Sequence, residues 1–408
     1  MMEFNKDELS APAWLNAAFF EHILREFESD PTVQLASPLE LRPGTKAGDH
    51  FASVMYRTTV RYRTRSDDSN EPKLMHLIMK IKPTVEGLKK DLLDDEDFFG
   101  KEMRMYTKVL PEMARLMESI GEKYRYPRLV YCSKTPNTII ILEDISFSGW
   151  GMAGLVKSFE DLLPTIDTIA KFHAASVVIE QNDPSFTVQY RCTIPETFRT
   201  MRNMTDGCFH SFLNFLSENS DLAEFVEPVE RFHLTIDQSV CEAYTTSGTC
   251  ANVLIHGDFH FKNLLHRKAD GGRIVDTMFV DYQMCAWSSQ VVDLFYLMYM
   301  IPEQVVKNSH RDAIVHRYHT TFSDLLRRLN FGWRVRSLTE LQAELLRKGK
   351  LELFHYIVFS AFLHTDLSKV DPEAFFQGKL DNPALQLAEF KDTMRTELKR
   401  FLHQGIIS

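Results

Sequence analysis

The stretch Leu254-Ile255-His256-Gly257-Asp258-Phe259-His260-Phe261-Lys262-Asn263-Leu264-Leu265 decides how the rest of the chain is interpreted. A polar turn follows at Lys268-Ala269-Asp270-Gly271-Gly272, and the next apolar run ends in Phe279-Val280-Asp281-Tyr282-Gln283. Short apolar runs at 253–255, 263–265 and 277–280, with a Gly-Gly turn between the last two, predict strands. Such strands would hold Asp258, Asn263 and Asp281 in fixed positions.

Two carboxylates and an amide in this order fit the transfer of a phosphoryl group. The attacking hydroxyl must be oriented and must lose its proton, and the carboxylate of Asp258 can accept that proton. Magnesium prefers hard oxygen ligands, which the amide oxygen of Asn263 and the carboxylate of Asp281 would supply. Protein kinases space their catalytic Asp, the Asn that follows it and the later metal-binding Asp in the same way. We therefore predict that Asp258, Asn263 and Asp281 are catalytic residues.

Composition argues against several classes of protein. The chain has 408 residues, and its net charge of −9 does not suit a nucleic-acid binder, which needs a basic surface. Its six cysteines form no C-x-x-C pair and predict reduced thiols. The first residues lack the features of a signal peptide, and no apolar run predicts a membrane helix. We expect a cytoplasmic protein with no nucleic-acid or membrane partner.

A lysine within an apolar strand is the first candidate for nucleotide binding. The run Leu74–Pro83 is predicted to be a strand with Lys80 and Lys82 on one face. Because an unpaired lysine in such a strand costs free energy, Lys80 is predicted to be functional, although a lysine that protects a sheet edge is the alternative. Glu102, in a helix that follows, is its candidate partner, because kinases orient their phosphate-binding lysine with a helix glutamate. A solvated glutamate is the alternative for Glu102.

Two further segments of the first half present backbone groups. The glycine-bearing turn that contains Gly44 and Gly48 lies between two predicted strands, and its amides could approach phosphates. An ordinary hairpin turn is the alternative, since the turn lacks the G-x-G-x-x-G pattern and no Walker A loop occurs. At the end of the last predicted strand, the connector Glu143-Asp144-Ile145 stands where a kinase hinge binds adenine through backbone groups.

Beyond the connector the predicted strands give way to helices. We place the domain boundary near residue 145, which gives an N-terminal lobe of residues 1–145 and a C-terminal lobe of residues 146–408. His173 is predicted to be a hydrogen-bonded core histidine rather than a ligand. Asp293, near a helix start, is expected to cap the amides of that helix or to bridge to the catalytic loop. The predicted helices include Phe159–Ile179, Phe209–Phe225, Val229–Tyr244 and Leu351–Phe362.

The order of these motifs resembles that of the ecdysteroid kinase-like, or CHK kinase-like, family. This family lies within the group of aminoglycoside phosphotransferases and choline kinases. The matching motifs are Gly44…Gly48…Ser53, Lys80-Ile81-Lys82-Pro83, Phe99–Tyr106, Leu142-Glu143-Asp144, His173–Ser176, His256-Gly257-Asp258…Asn263, Asp281-Tyr282-Gln283 and Asp293-Leu294. Tyr282 stands where the family usually has phenylalanine. His260 stands where tryptophan is frequent, which loosens the assignment of the substrate.

The resemblance implies an α+β, protein-kinase-like fold with two lobes. The small N-terminal lobe would hold an antiparallel sheet, and the larger C-terminal lobe would be mainly helical. The implied activity is transfer of the γ-phosphate of ATP, assisted by Mg²⁺, to a hydroxyl of a small molecule. The roles that it implies are Asp258 as base, Asn263 and Asp281 as metal ligands, Lys80 with Glu102 at the phosphates, and Glu143, Asp144 and Ile145 at adenine.

Composition also suggests the kind of acceptor. The helical half is rich in aromatic and sulfur side chains, which suit an apolar alcohol such as an ecdysteroid or a hydroxylated xenobiotic. Phe147–Met152 is expected to be an exposed connector in which Trp150 covers a ligand. A choline or amino-alcohol kinase is one alternative, and a catalytically inactive pseudokinase that binds a ligand is another. The side chains considered are Trp150, Met152, Phe209, Phe212, Phe215, Trp287, Tyr296, Met298 and Met300.

Overall fold

The computed structural model describes residues 11–44, 54–65, 71–83, 97–364, 374–375 and 377–408. Its architecture is mixed α+β, as predicted. The chain forms two compact units, Met1–Pro111 with Arg125–Gly151, and Glu112–Tyr124 with Met152–Ser408. The sequence places the boundary near residue 145. In the structure the first unit continues to Gly151, and the segment Glu112–Tyr124 is part of the second unit.

An antiparallel sheet is the basis of the first unit. The strands are β1 (Gln34–Leu35), β2 (Leu41–Pro43), β3 (Val54–Arg63), β4 (Lys73–Ile81), β5 (Leu129–Ser133) and β6 (Ile139–Glu143). Their order is β1-β3-β4-β6-β5, and β2 pairs with the first half of β3. Alternate residues of β3 are buried, which is the pattern expected of a strand with one face on a core.

Helix α1 (Ala17–Glu28) packs on one face of this sheet. The side chain of Asn16 caps the helix by accepting a hydrogen bond from the amide of Phe19, and Phe20, Ile23 and Leu24 are buried beneath it. They join the buried residues of β3, β4 and β6 in one apolar core. The unit also contains the helical segments α2 (Phe98–Arg104), a π turn at Met105–Val109, the start of α3 (Leu110–Ser119), a 3-10 turn at Ile145–Ser148 and the short strand β7 (Trp150–Gly151).

The second unit is mainly helical. Helix α4 (Phe159–Asn182) forms its centre and packs on α11 (Gln304–Arg328) and on strands β8 (Asn252–Ile255) and β10 (Ile274–Phe279). The other helices are α5 (Phe186–Gln189), α6 (Ile194–Thr200), α7 (Arg202–Glu218), α8 (Val226–Leu234), α9 (Ile236–Tyr244), α10 (Val291–Tyr299), α11 (Gln304–Arg328), α12 (Leu338–Arg347), α13 (Gly349–Phe354), α14 (Ser360–His364) and α15 (Ala388–His403). A π turn at His355–Phe359 joins α13 to α14.

Two antiparallel strand pairs carry the catalytic segment within this unit. Strand β8 (Asn252–Ile255) pairs with β11 (Ala286–Ser289), and β9 (Leu264–Lys268) pairs with β10 (Ile274–Phe279). The turn between β9 and β10 uses Gly271 and Gly272, both at positive φ. The three strands predicted around Asp258, Asn263 and Asp281 are therefore confirmed.

Helix α4 is long and apolar. By length and composition alone it could cross a membrane, although no apolar run of the sequence predicts a membrane helix. Its most apolar window is 72% buried inside the structure. Burial against α11, β8 and β10 accounts for its apolar character, because a central helix of a folded unit is covered on nearly every side.

Candidate active site

The loop after β8 brings the predicted base and its neighbours together. The side-chain amide of Asn263 donates two hydrogen bonds to Asp258, one to the backbone oxygen at 2.8 Å and one to carboxylate Oδ2 at 3.0 Å. Nε2 of His260 lies 3.3 Å from the other carboxylate oxygen. The carboxylate of Asp258 is thus held from both sides while its side chain stays partly exposed.

The amide orientation of Asn263 has a consequence for metal binding. Because Nδ2 serves Asp258, the carbonyl oxygen Oδ1 is the atom that this side chain presents as a ligand. The backbone oxygen of Asn263 also accepts a hydrogen bond from the amide of Val280 at 3.1 Å. This bond fixes Asp281, the next residue, beside the loop.

Asp281 has an unusual backbone conformation. Its φ of 65° lies in the left-handed region, which residues other than glycine seldom adopt. It follows the end of β10 and precedes a 3-10 turn at Tyr282–Met284. Strained backbone of this kind is concentrated at functional sites, where the surrounding structure holds it. Tyr282 is buried here and donates from its hydroxyl to the backbone oxygen of Phe279 at 3.0 Å, so the replacement of phenylalanine is accommodated.

Asp293 bridges to the catalytic loop, which is one of the two roles predicted for it. Its carboxylate accepts the backbone amides of His256 at 2.6 Å and Gly257 at 3.1 Å. Gly257 has a φ of 76°, and a β-carbon there would lie 2.5 Å from the backbone oxygen of Met284. Only glycine therefore fits this bend, and Asp293 fixes the backbone that carries Asp258.

A buried polar chain supports Asp293 in turn. Nε2 of His173 lies 3.0 Å from the Asp293 carboxylate, and Nδ1 lies 2.7 Å from the hydroxyl of Tyr318. That hydroxyl donates to the side-chain oxygen of Gln290 at 2.9 Å. His173 is therefore the hydrogen-bonded core histidine that was predicted. Tyr318 and Gln290 were not singled out in the sequence, because their partners lie far away along the chain.

The charges around Asp258 keep it ionised. Burial would raise its pKa, but the imidazoles of His260 and His256 and the amide of Asn263 outweigh burial and lower the pKa to about 2. Burial lowers the pKa of His256, although Asp293, Asp258 and Asp281 all act in the opposite direction. Nε2 of His256 lies 3.1 Å from the backbone oxygen of Val280, which accepts its hydrogen bond.

In the first unit, Lys80 and Glu102 form a buried ion pair. Nζ of Lys80 donates to Oε2 of Glu102 at 2.6 Å, and both residues are less than a tenth exposed. Lys80 lies in the interior of the sheet, paired with Met55 on one side and Ile140 on the other, so it does not protect an edge. The pairing that was predicted for these two side chains is present. Their part in nucleotide binding remains a prediction.

Replacement of each of the two lysines tests that role. Lys80→Ala should raise the ATP concentration needed for half-maximal binding by roughly ten- to hundredfold, the worth of one charge-assisted contact. Lys82→Ala is the matched control, because Lys82 lies beyond the end of β4 and is partly exposed. A nucleotide titration that shows the larger effect for Lys82 would mean that the wrong lysine was assigned.

The glycine-bearing turn that was predicted to bind nucleotide is described by the structure only at its start. Gly44 follows β2, and its amide donates to the backbone oxygen of Met55 at 2.7 Å. A β-carbon at Gly44 would approach Cβ of Met55 to 2.9 Å, which explains the glycine by close strand pairing. Gly48 lies outside the described residues.

In the connector, the amides of Glu143 and Asp144 are already used by the sheet. They donate to the backbone oxygens of Arg128 at 2.9 Å and His76 at 2.8 Å. The Asp144 carboxylate accepts the amide and the hydroxyl of Ser146, which begins the 3-10 turn. Of the three predicted residues, Ile145 is therefore the one whose amide remains as a candidate donor to adenine.

Most of the aromatic and sulfur side chains considered for the acceptor belong to the core. The connector is exposed at Phe147 and Met152, as expected, whereas the ring of Trp150 is buried against the protein. Phe147 is the exposed ring of that connector, and it stacks on His76 at 3.5 Å between ring centroids. In the second unit, the buried members of the set are Phe209, Phe212, Tyr296, Met298 and Met300.

The donor set around the catalytic loop suits magnesium. The described residues contain no group of three or more histidine, cysteine, aspartate or glutamate side chains that could hold a metal ion. Magnesium at kinase sites does not need such a cage, because one or two protein carboxylates are completed by phosphates and water. Asn263 Oδ1 and the Asp281 carboxylate are oxygen ligands of the required kind.

Comparison with known proteins places these observations in a family context. A family model described as the ecdysteroid kinase-like family matches residues 47–331, well over half of the chain. No curated protein matches the chain. Among solved structures, an aminoglycoside phosphotransferase from Alicyclobacillus acidocaldarius is similar, with 11% sequence identity and a TM-score of 0.38. The match covers 89% of this chain and 92% of that one.

Proposed function

Because the chain belongs to the ecdysteroid kinase-like family and is thus a small-molecule phosphotransferase, we propose that it transfers the γ-phosphate of ATP to an apolar alcohol. The acceptor class is a hydroxyl of an ecdysteroid or of a hydroxylated xenobiotic. The observation that carries the proposal is the contact between Asn263 and Asp258, in which the amide nitrogen holds the carboxylate at 3.0 Å. Because Nδ2 of Asn263 is used in this contact, the carboxylate of Asp258 would face the acceptor hydroxyl and Oδ1 of Asn263 would face the cation.

Nucleotide binding is assigned to residues of the first unit. Lys80, oriented by Glu102, would contact the phosphates, as the corresponding ion pair does in kinases. The amide of Ile145 would donate to adenine. The turn that contains Gly44 and Gly48 would approach the phosphates through its backbone.

Proton removal and orientation are assigned to the second unit. Asp258 is ionised at neutral pH, so it can accept a hydrogen bond from the acceptor hydroxyl and take its proton as the phosphorus–oxygen bond forms. Asn263 keeps the carboxylate in place, and Asp293 keeps the loop backbone in place. Magnesium, when bound by Asn263 and Asp281, supplies positive charge to the phosphate oxygens.

The acceptor would be apolar, and the protein would act in the cytoplasm. Aromatic rings surround Tyr296 in the second unit, as an apolar acceptor would require. All six cysteines are free thiols, which supports a reducing compartment and hence the cytoplasm.

An ATP-consumption screen with purified protein and magnesium tests the proposed function. Wild type should consume ATP in the presence of ecdysone or a hydroxylated xenobiotic, and Asp258→Asn provides the background. If ATP is consumed with choline but with none of the apolar compounds, the acceptor is an amino alcohol and not an apolar alcohol. Consumption at the Asp258→Asn level with every compound would contradict the proposal.

A further inference from the structure

His355 is a buried polar side chain that the proposed mechanism does not use. Its ring is fully buried, and neither ring nitrogen has a hydrogen-bond partner within the part of the chain that the structure describes. Buried polar groups in folded proteins are almost always paired, so such a group calls for an explanation. His173, also fully buried in the same unit, has partners for both nitrogens. The lack of partners at His355 is thus not a general property of histidines in this core.

The backbone at His355 is also unusual. His355 begins the π turn His355–Phe359 between α13 and α14. A single π turn inserted into a helix is rare and is often found at functional sites. An unpaired ring and an irregular helix therefore coincide at one residue.

Aromatic rings enclose His355. The centroid of the Tyr296 ring lies 4.3 Å from that of the His355 ring, edge to face, and the centroid of the Phe359 ring lies 4.6 Å from it. Phe359 also contacts Phe198 at 5.6 Å and Phe354 at 5.2 Å. We call these five residues with Tyr244, which contacts Phe198 at 5.8 Å, the aromatic cluster.

The aromatic cluster adjoins the catalytic loop. Phe198 lies on α6, which starts at Ile194, and Ile194 Cδ1 is only 2.9 Å from where a β-carbon of Gly257 would be. Residues four apart share a helix face, so Ile194 and Phe198 connect the loop to the cluster. Burial raises the pKa of both Tyr244 and Tyr296, and the nearby charge of Asp258 acts in the same direction on both. The cluster therefore lies on the side of the unit where the acceptor molecule would place its hydroxyl against Asp258.

The protonation state of His355 defines what it can bind. Burial lowers its pKa to about 3, and no charged group acts in the opposite direction. The ring is neutral at physiological pH and offers one N–H donor and one nitrogen acceptor. A hydroxyl, which both donates and accepts, is the small group that matches either nitrogen. An ammonium or a carboxylate would match one nitrogen only and would bring a charge into an apolar enclosure.

We propose that the aromatic cluster is the wall of the acceptor site in this unit and that His355 binds a hydroxyl of the acceptor other than the one phosphorylated. The inference rests on the proposed function and makes it narrower, because it selects apolar acceptors with at least two hydroxyls. Since the His355 ring is enclosed, an acceptor reaches it when a neighbouring ring, such as that of Tyr296, turns aside. His355 would thus determine specificity without touching the reacting atoms.

Two probes and three variants test this role. The probes are ecdysone, which carries several hydroxyls, and pregnenolone, a steroid with one hydroxyl. His355→Phe keeps the ring volume and removes both nitrogens, whereas His355→Gln keeps a donor and an acceptor. Tyr356→Phe is the matched control, since it alters the next residue of the same π turn and leaves His355 intact. Binding is measured by calorimetry with a non-hydrolysable ATP analogue and magnesium, and phosphorylation is measured separately.

The expected result is a change in discrimination between the steroids. His355→Phe should weaken ecdysone binding about tenfold, the worth of one good hydrogen bond, and leave pregnenolone and the ATP analogue unchanged. His355→Gln should recover part of the loss, and Tyr356→Phe should bind ecdysone as wild type does. Equal weakening of both steroids and of the nucleotide would show a structural role only and would overturn the inference.

The inference and the proposed function fail in different ways. If wild type phosphorylates ecdysone and His355→Phe leaves the preference for ecdysone over pregnenolone unaltered, the inference is wrong and the proposed function stands. If wild type neither binds nor phosphorylates either steroid, the proposed acceptor class is wrong and the inference falls with it.

Discussion

Replacement of Asp258 by asparagine should lower turnover by roughly 10²–10⁴-fold while ATP binding is preserved, the usual worth of a positioned acid or base. The variant keeps the size of the side chain and one oxygen that can accept from Asn263, but it removes the negative charge that accepts the proton. Because the pKa of Asp258 is lowered to about 2, the carboxylate is ionised across the working pH range, and its own titration should not limit the rate near neutral pH.

Asp281→Ala separates the role of the base from that of the metal ligand. It should abolish productive binding of magnesium–ATP, since the proposed cation would lose its only carboxylate ligand. Single-turnover phosphorylation and nucleotide titration, both at a fixed magnesium concentration, distinguish the two variants. Wild-type turnover by purified Asp258→Asn would rule out the proposed role of Asp258.

The catalytic segment was predictable because its information is local. His256, Gly257, Asp258 and Asn263 lie within one loop, and the strands on both sides of it follow from short apolar runs and a Gly-Gly turn. Asp281 follows from the same pattern. The pairing of Lys80 with Glu102 was also predictable, since a lysine in an apolar strand requires a partner, and the next helix offers a glutamate.

What the sequence did not reveal depends on contacts between distant residues. The chain from Asp293 through His173 and Tyr318 to Gln290 joins three separate helical segments, and no spacing rule connects them. The amides of Glu143 and Asp144 are used because neighbouring strands pair with this connector, which depends on sheet register.

Helix interruptions were missed for a related reason. Val229–Tyr244 was predicted to be one helix, but Thr235 leaves helical geometry, with a φ of −109°, and divides it into α8 and α9. Its hydroxyl hydrogen-bonds to the backbone oxygen of Phe232, which is the competition with helix bonding that threonine introduces. The π turn at His355–Phe359 interrupts a run of apolar residues that gives no local signal.

A buried charge cluster in the second unit likewise follows from no local pattern in the sequence. Glu352 on α13 accepts hydrogen bonds from the hydroxyl of Tyr299 at 2.6 Å and from Arg400 at 2.8 Å, and Nη1 of Arg311 lies 2.5 Å away. Arg400 also contacts Glu397 at 3.1 Å. These contacts tie α10, α11, α13 and α15 together. They are spread over about a hundred residues of sequence, so only the fold shows them.

Glu352→Gln should lower the free energy of unfolding by about 3–5 kcal/mol, because it removes a buried negative charge and leaves two partly buried arginines without their main counter-charge. Burial would raise the pKa of Glu352, but Arg311, Arg400 and Tyr299 outweigh burial and lower it to about 2, below the value of roughly 4.3 in unfolded chains. The stabilisation is therefore present above about pH 4 and is lost as the pH falls towards 2. The variant should lose this acid dependence together with its stability.

Lys307→Met is the matched control for this prediction. Lys307 is buried and lies 3.3 Å from Glu397, and burial lowers its pKa to about 8. Its removal leaves two arginines facing two glutamates, so a side chain of similar volume should cost less than about 1.5 kcal/mol. Urea unfolding at pH 7 measures both variants. Two results would contradict the prediction: a free energy of unfolding of Glu352→Gln within about 1 kcal/mol of wild type, or a lower free energy of unfolding for Lys307→Met than for Glu352→Gln. Either result would mean that the arginines find other partners or water when Glu352 is neutral.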